Sequence, residues 1–221
     1  MLARKLVAEF LGTSVLLATV VGSGIMGVAL SGGNDGIALL ANAAATAGIL
    51  YVLITILGPV SGAHFNPVVT VAMRLRGQLE TSEAIAYIAM QIVAAIVGVV
   101  LAHAMFGQQL LQPGTRVRTD AAQWLSEGVA TAGLVLTILL GLRSRPAAVS
   151  ALVAAYIFAA YWFTASTSFA NPAVTIARSL TRTFAGIRPG DVAGFVIAQF
   201  AGMLVALVVA NVLNERPLEK T

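Results

Sequence analysis

The chain states one pattern twice. Glu9-Phe-Leu-Gly-Thr13 is answered by Glu127-Gly-Val-Ala-Thr131, and His64-Phe-Asn-Pro-Val-Val-Thr-Val-Ala by Phe169-Ala-Asn-Pro-Ala-Val-Thr-Ile-Ala. Gln91 is answered by Gln199, and Ala94/Gly98 by Gly202/Ala206. The offsets are 118 (Glu9 to Glu127), 105 (Asn66 to Asn171) and 108 (Gln91 to Gln199) residues, close enough for one duplication with unequal loops. Any fold for this sequence must give each half the same arrangement.

Each half reads as three long apolar runs and one short one. The long runs are Ala3–Val28, Gly36–Leu57, Thr81–Phe106, Thr119–Leu142, Pro146–Ala165 and Pro189–Leu213, each near the ~20 residues that cross a bilayer as a helix. The short runs, Pro67–Leu75 and Pro172–Leu180, reach only about 13 Å as helices, roughly half of a hydrocarbon core. Composition agrees: 58% of the 221 residues are hydrophobic and 10% charged, with a mean hydropathy of +0.90. A soluble domain carries about 25% charged residues, so a cytosolic enzyme and a disordered chain are excluded. The run after Arg4 and Lys5 is longer than a signal-peptide core and holds Glu9, so it reads as a retained first span.

Three crossings per half is an odd number, so the second half sits upside down relative to the first. The two short helices then enter from opposite faces and their starts meet near the bilayer midplane. Asn66-Pro67 and Asn171-Pro172 suit helix starts, because Asn caps well and Pro at the first helical position lacks an N–H that would go unpaired anyway. Two partial positive helix ends and two amide side chains would then border a polar cavity, which favours a passing hydroxyl or water over a cation. The plainer alternative is that each Asn only caps its own helix.

Glu9 and Glu127 lie inside predicted spans, where a carboxylate is costly and commonly functional. One per repeat, they read as acceptors for the backbone of the two re-entrant loops rather than as a proton-coupling pair. His64 is expected to order the first loop, and His103 has no neighbour that would make it a ligand. Trp124, Tyr161 and Trp162 suit interfacial anchoring. The net charge of +4 comes from scattered basic residues, which argues against nucleic acid as a partner. With Cys absent and two His, neither a metal nor another cofactor is expected. With the N-terminus inside, Arg4, Lys5, Arg74, Arg76, Arg143, Arg145, Arg216 and Lys220 face the cytoplasm. Arg116, Arg118, Arg178, Arg182 and Arg188 then face out, a bias that favours cytoplasmic termini.

The runs Ser61-Gly-Ala-His-Phe-Asn-Pro-Val and Ser168-Phe-Ala-Asn-Pro-Ala closely resemble the paired Asn-Pro-Ala boxes of the aquaporin family. The resemblance spans nearly the whole chain. It implies an all-α membrane protein, one domain over residues 1–221, with six transmembrane helices and two re-entrant half-helices. The inverted repeats would cover about 1–106 and 119–213. It further implies one pore per subunit, a homotetramer in the inner (plasma) membrane, and passive conduction of water or small neutral solutes. Asn66, Pro67, Val68, Asn171, Pro172 and Ala173 would form the boxes, with Val68 standing where Ala is usual and making the inner side narrower or drier.

The family's outer constriction maps by position onto Thr46, Ala159, Ser168 and Val174. Family members normally have Arg at the last of these. Four small uncharged residues predict a wide constriction, with cation exclusion left to the helix ends and to the several kcal/mol it takes to strip an ion of water. Arg178, one turn beyond Val174, is a vestibule candidate, with an interfacial anchor as the favoured reading. Valine in place of the filter Arg resembles a branch of bacterial aquaglyceroporins linked to arsenic resistance, which implies glycerol, undissociated arsenite, methylated arsenicals and antimonite as solutes. The competing readings are a narrow water-selective pore and a proton-coupled secondary transporter using Glu9 or Glu127. An intramembrane enzyme lacks the residues for its chemistry.

Overall fold

A computed structural model of the chain describes residues 2–214. Arg216 and Lys220, counted above on the cytoplasmic side, lie outside the described residues. The described residues form eight α-helices: α1 (Leu2–Leu30), α2 (Asp35–Ser61), α3 (Pro67–Leu75), α4 (Thr81–Met105), α5 (Ala121–Ser144), α6 (Val149–Phe163), α7 (Pro172–Arg178) and α8 (Val192–Asn214). Single 3₁₀ turns at Pro146–Ala148 and Pro189–Asp191 lead into α6 and α8, and together these segments provide six apolar spans. The fold is all-α, with six long helices and two short ones.

Local chemistry sets the helix ends. Asn34 caps α2 by accepting from the Ile37 N–H at 3.1 Å, and Asp120 caps α5 by accepting from Gln123 N–H at 2.8 Å. α2 runs through Pro59 and stops at Gly62, whose φ of 87° is easy only for glycine. α7 ends at Arg178, two residues before the expected Leu180. There Ser179 N–H turns back to the Ile176 carbonyl, and the Arg178 carbonyl accepts from Ile187 N–H.

α1 packs between α2 and α4, and α5 between α6 and α8. The halves interlock: α2 lies along α6, α3 touches α8, and α7 touches α4. Glycine permits two close approaches of helix backbone to helix backbone. A Cβ on Gly98 would lie 2.3 Å from the Ser14 carbonyl oxygen, and one on Gly202 only 2.2 Å from that of Gly128. Large apolar side chains such as Val7, Ile85, Leu125, Ile197 and Val208 cover the outside. That surface suits lipid rather than water.

One expectation about position fails here. Trp124 and Trp162 are exposed as interfacial anchors would be, but Tyr161 is buried and points inward. Arg118, counted as an outer-loop charge, is also buried. Its Nε donates to the Gly186 carbonyl at 3.1 Å and its Nη1 to that of Ser166 at 3.0 Å. Burial and the neighbouring Arg178 push its pKa down to about 9.

Candidate functional site

The starts of α3 and α7 meet inside the bundle. Asn66 caps α3 by accepting from the Val68 N–H at 2.9 Å, and Asn171 caps α7 by accepting from Ala173 N–H at 3.0 Å. Each Asn then reaches across to the other half. Asn66 Nδ2 donates to the Ala170 carbonyl and Asn171 Nδ2 to the Phe65 carbonyl, both at 2.8 Å. An amide carries two N–H donors, so one on each Asn stays free for another partner. The Asn residues cap their helices and also do more than cap.

Just before each box the backbone enters the left-handed region at residues other than glycine: Ala63 and Phe65 in the first loop, Thr167, Ser168 and Ala170 in the second. Each such residue costs about 1–2 kcal/mol. The two buried carboxylates hold these loops. Glu9 accepts from Ser61 Oγ (2.7 Å), His64 N–H (3.0 Å), Phe65 N–H (2.8 Å) and Gln91 Nε2 (2.8 Å). Glu127 accepts from Ser166 Oγ (2.6 Å), Phe169 N–H (2.8 Å), Ala170 N–H (2.9 Å) and Gln199 Nε2 (2.6 Å). Two donors on each oxygen fill the carboxylate's acceptor capacity. The same glutamines brace the half-helices through Thr70 and Thr175 at 3.0 and 2.8 Å.

His64 bonds Thr70 Oγ1 through Nδ1 at 3.1 Å and meets Tyr87 edge to face. His103 spans from the Leu110 carbonyl to Thr181 Oγ1, which makes it a buried strut.

A cavity of about 110 Å³, room for several waters, runs past both Asn residues. Apolar side chains such as Leu16, Val20, Leu134 and Val153 form much of its wall. Its polar groups include His64, Asn66 and Asn171. Of the four positions expected at the constriction, Thr46, Ser168 and Val174 line it. Ala159 does not: it is exposed on the outer face of α6. The inward stripe of α6 is Val149, Val153, Ile157 and Tyr161, spaced by four, and a residue midway between two of these points away. Tyr161 therefore occupies the wall in its stead, its hydroxyl 3.2 Å from Thr46 Oγ1.

Two further expectations are corrected. Val68 is fully buried against Met203, Ala206 and Val135, so its extra bulk fills the core between α3, α5 and α8 instead of narrowing the cavity. Arg178 is 2% exposed and is no interfacial anchor. Its guanidinium stacks on Phe169 at 3.4 Å, its Nε donates to the Ala185 carbonyl, and it lines the cavity. Burial is possible because the guanidinium trades water for an aromatic face and a carbonyl. The cavity whose outer part was expected to be small and uncharged thus has Tyr161, Phe169 and Arg178 in its wall. Of these, Tyr161 was detectable in the four-residue period of α6.

Comparison with known proteins agrees with this architecture. A family model described as Major intrinsic protein matches residues 1–165. The aquaglyceroporin AqpS of Rhizobium meliloti (strain 1021) is 58% identical over 219 residues, 98% of this chain and 94% of that relative. Aquaporin NIP1-1 of Arabidopsis thaliana is 35% identical over 105 residues, 47% of this chain and 34% of that relative. The X-ray structure of the aquaglyceroporin from Plasmodium falciparum superposes with a TM-score of 0.72 at 16% identity, covering 96% of this chain and 95% of that one, a likeness of fold. The reciprocal Asn-Pro junction, the six spans and these matches lead to one assignment: the chain belongs to the major intrinsic protein family and is a multi-pass membrane channel, not an enzyme.

Proposed function

We propose that the central cavity conducts small neutral solutes passively: water, glycerol-like polyols and undissociated arsenite, with methylated arsenicals and antimonite as further candidates. The observation that carries this reading is the free N–H on each of Asn66 and Asn171, on a largely apolar wall. A neutral hydroxylated solute gains hydrogen bonds there and leaves its apolar edge against Leu and Val. A cation meets donors and helix N-termini and no carboxylate. Arsenite near neutral pH is an uncharged trihydroxy species and fits the same chemistry. The 58% identity to a protein named an aquaglyceroporin supports the polyol.

The proposal treats residues 1–221 as one channel domain of two inverted repeats, about 1–106 and 119–213, in the inner membrane and assembled as a homotetramer. Cytoplasmic termini are supported by exposed Arg4, Arg76, Arg143 and Arg145 on one side against Arg116, Arg182 and Arg188 on the other. Thr46, Ser168, Val174 and Tyr161 form its constriction. Proton coupling through Glu9 or Glu127 is disfavoured, because both carboxylates are saturated by the loops they hold and neither lines the cavity.

A narrower, water-selective pore is the second reading, and Tyr161 beside Thr46 favours it. Stopped-flow light scattering on proteoliposomes decides between them. The first reading expects glycerol and arsenite to enter with water, and Val174→Arg to remove the two larger solutes. Water flux alone in the unaltered protein establishes the second.

A further inference from the structure

We propose that Arg118, which does not itself line the cavity, is a positioning residue that sets the size of solute admitted by holding the second re-entrant loop in place. It does for the Ser166 carbonyl what the Tyr87 hydroxyl does for that of Ser61. The proposal rests on the reading of the cavity as the conducting lumen.

The two halves hold their loops alike except at one bond. Ser61 and Ser166 occupy matching places: each donates through Oγ to the glutamate of its own half and accepts the N–H two residues on. Their carbonyls differ. In the first half Tyr87 Oη donates to the Ser61 carbonyl at 2.9 Å, and its ring meets His64 edge to face at 5.4 Å. The offset of 108 that relates Gln91 to Gln199 also relates Tyr87 to Phe195, and the offset of 105 between the boxes relates His64 to Phe169. Phe195 does meet Phe169, at 5.2 Å. The ring pair is repeated and the hydroxyl is not. The buried Ser166 carbonyl takes its bond from Arg118 Nη1 instead, at 3.0 Å.

Arg118 is carried by the linker between α4 and α5, and the linker is stitched to the chain that follows α7. Gly114 N–H donates to the Ser179 carbonyl at 2.8 Å, Arg188 N–H to that of Arg116 at 2.8 Å, and Arg118 N–H to Asp191 Oδ2 at 2.7 Å. From this fixed backbone Arg118 Nε reaches the Gly186 carbonyl at 3.1 Å, and the guanidinium lies 4.9 Å over the Phe169 ring. One forked side chain therefore joins the linker, the loop before the second box and the return after α7.

What Arg118 holds bears on the lumen, because Ser168 and Phe169 in the cavity wall follow Ser166 almost directly. Thr167, Ser168 and Ala170 sit at φ of 60°, 51° and 48°, a strained region for residues other than glycine. Without Arg118 the carbonyls of Ser166 and Gly186 lose a buried donor, and the strained loop relaxes toward water. The wall that Ser168 and Phe169 supply then recedes and larger solutes pass.

The test uses the full chain in proteoliposomes. Entry of glycerol and xylitol is read by light scattering, and amide exchange by mass spectrometry on the same preparation. Arg118→Ala is expected to raise xylitol entry relative to glycerol by about fivefold or more. Exchange over 164–170 should speed by about tenfold or more, with 61–66 unchanged as the internal control. Adding Phe195→Tyr places a hydroxyl where Tyr87 has one and should bring both readings to within about twofold of the unaltered protein. A residue that only contributed packing would not be rescued by a hydroxyl on another helix. An unchanged xylitol-to-glycerol ratio in Arg118→Ala overturns the proposal, and so does a double variant no closer to the unaltered protein than Arg118→Ala. Should Arg118→Ala fail to fold, the double variant decides: folding with the unaltered ratio supports the proposal, and any other result overturns it. Glycerol flux in the unaltered protein alongside any of these failures leaves the channel reading standing. Absence of every solute flux in the unaltered protein overturns both.

Discussion

Thr46 on α2 and Tyr161 on α6 join hydroxyl to hydroxyl at 3.2 Å, a bond between residues 115 positions apart, both in the cavity wall. α2 and α6 belong to different halves of the chain, so this contact ties the halves together where the lumen is proposed to be tightest. Tyr161→Ala removes the ring and is expected to raise entry of a five-carbon polyol relative to glycerol by about tenfold, ~1.4 kcal/mol of barrier. Tyr161→Phe keeps the ring and loses only the bond, a loss of about 0.5–1.5 kcal/mol in stability, with little change in solute size limit. Swelling assays with a polyol series and melting in detergent measure the two.

The reciprocal Asn bonds make a second prediction. Asn171→Asp keeps the acceptor that caps α7 but removes the donor held by the Phe65 carbonyl, and adds a negative charge in the lumen. Glycerol flux is expected to fall at least tenfold, roughly 1.4 kcal/mol, because both the free donor and the fixed geometry are lost. Asn66→Asp should behave alike, since its bond to the Ala170 carbonyl is equally short. Stopped-flow rates normalised to reconstituted protein check this, and an undiminished rate in either variant contradicts it.

The carboxylates give a third. Glu9→Gln or Glu127→Gln places an amide NH₂ where the loop presents donors, so at least one buried N–H loses its acceptor. Each such loss costs about 1–3 kcal/mol, and the strained left-handed residues beside it lose their restraint. Both variants are expected to melt well below the parent in detergent. Glycerol flux through the parent should be the same with and without an imposed pH gradient, as loop-holding carboxylates require. A flux that follows the gradient would restore the transporter reading.

What the sequence disclosed and what it hid follow from the same physics. The repeated boxes and the carboxylates were legible because local chemistry demands them: an Asn-Pro helix start and a lone carboxylate in an apolar run. The glutamines stood out only as a repeat, and their bracing role came from the fold. Side chain direction on α6 was not. Counting residues back from Asn171 selected Ala159, yet the loop after Phe163 sets which face of α6 turns inward, and only the stripe through Ile157 and Tyr161 reports it. Arg178 was misread because a cation near a helix end ordinarily seeks water. The Phe169 ring and the Ala185 carbonyl that make burial tolerable lie nine residues before and seven after it, joined to it only by the folded loops. Val68 failed as a lumen residue for a similar reason, since a box residue one position along faces the core instead.

Small residues supply the last prediction. The Gly98 and Gly202 contacts are with backbone oxygens of Ser14 and Gly128, which cannot rotate aside as a side chain can. Gly202→Ala must push α5 and α8 apart, and Gly98→Ala must do the same to α1 and α4. Each is expected to lose about 1–3 kcal/mol, the usual effect of overpacking a close contact. Gly48, exposed in the middle of α2 with nothing within 4 Å of an added Cβ, is the control. Gly48→Ala should gain roughly 0.5–1 kcal/mol from helix propensity alone. Thermal melts of the three variants in one detergent test the contrast. Equal melting of all three would mean that helix spacing in this bundle is not set by its glycines.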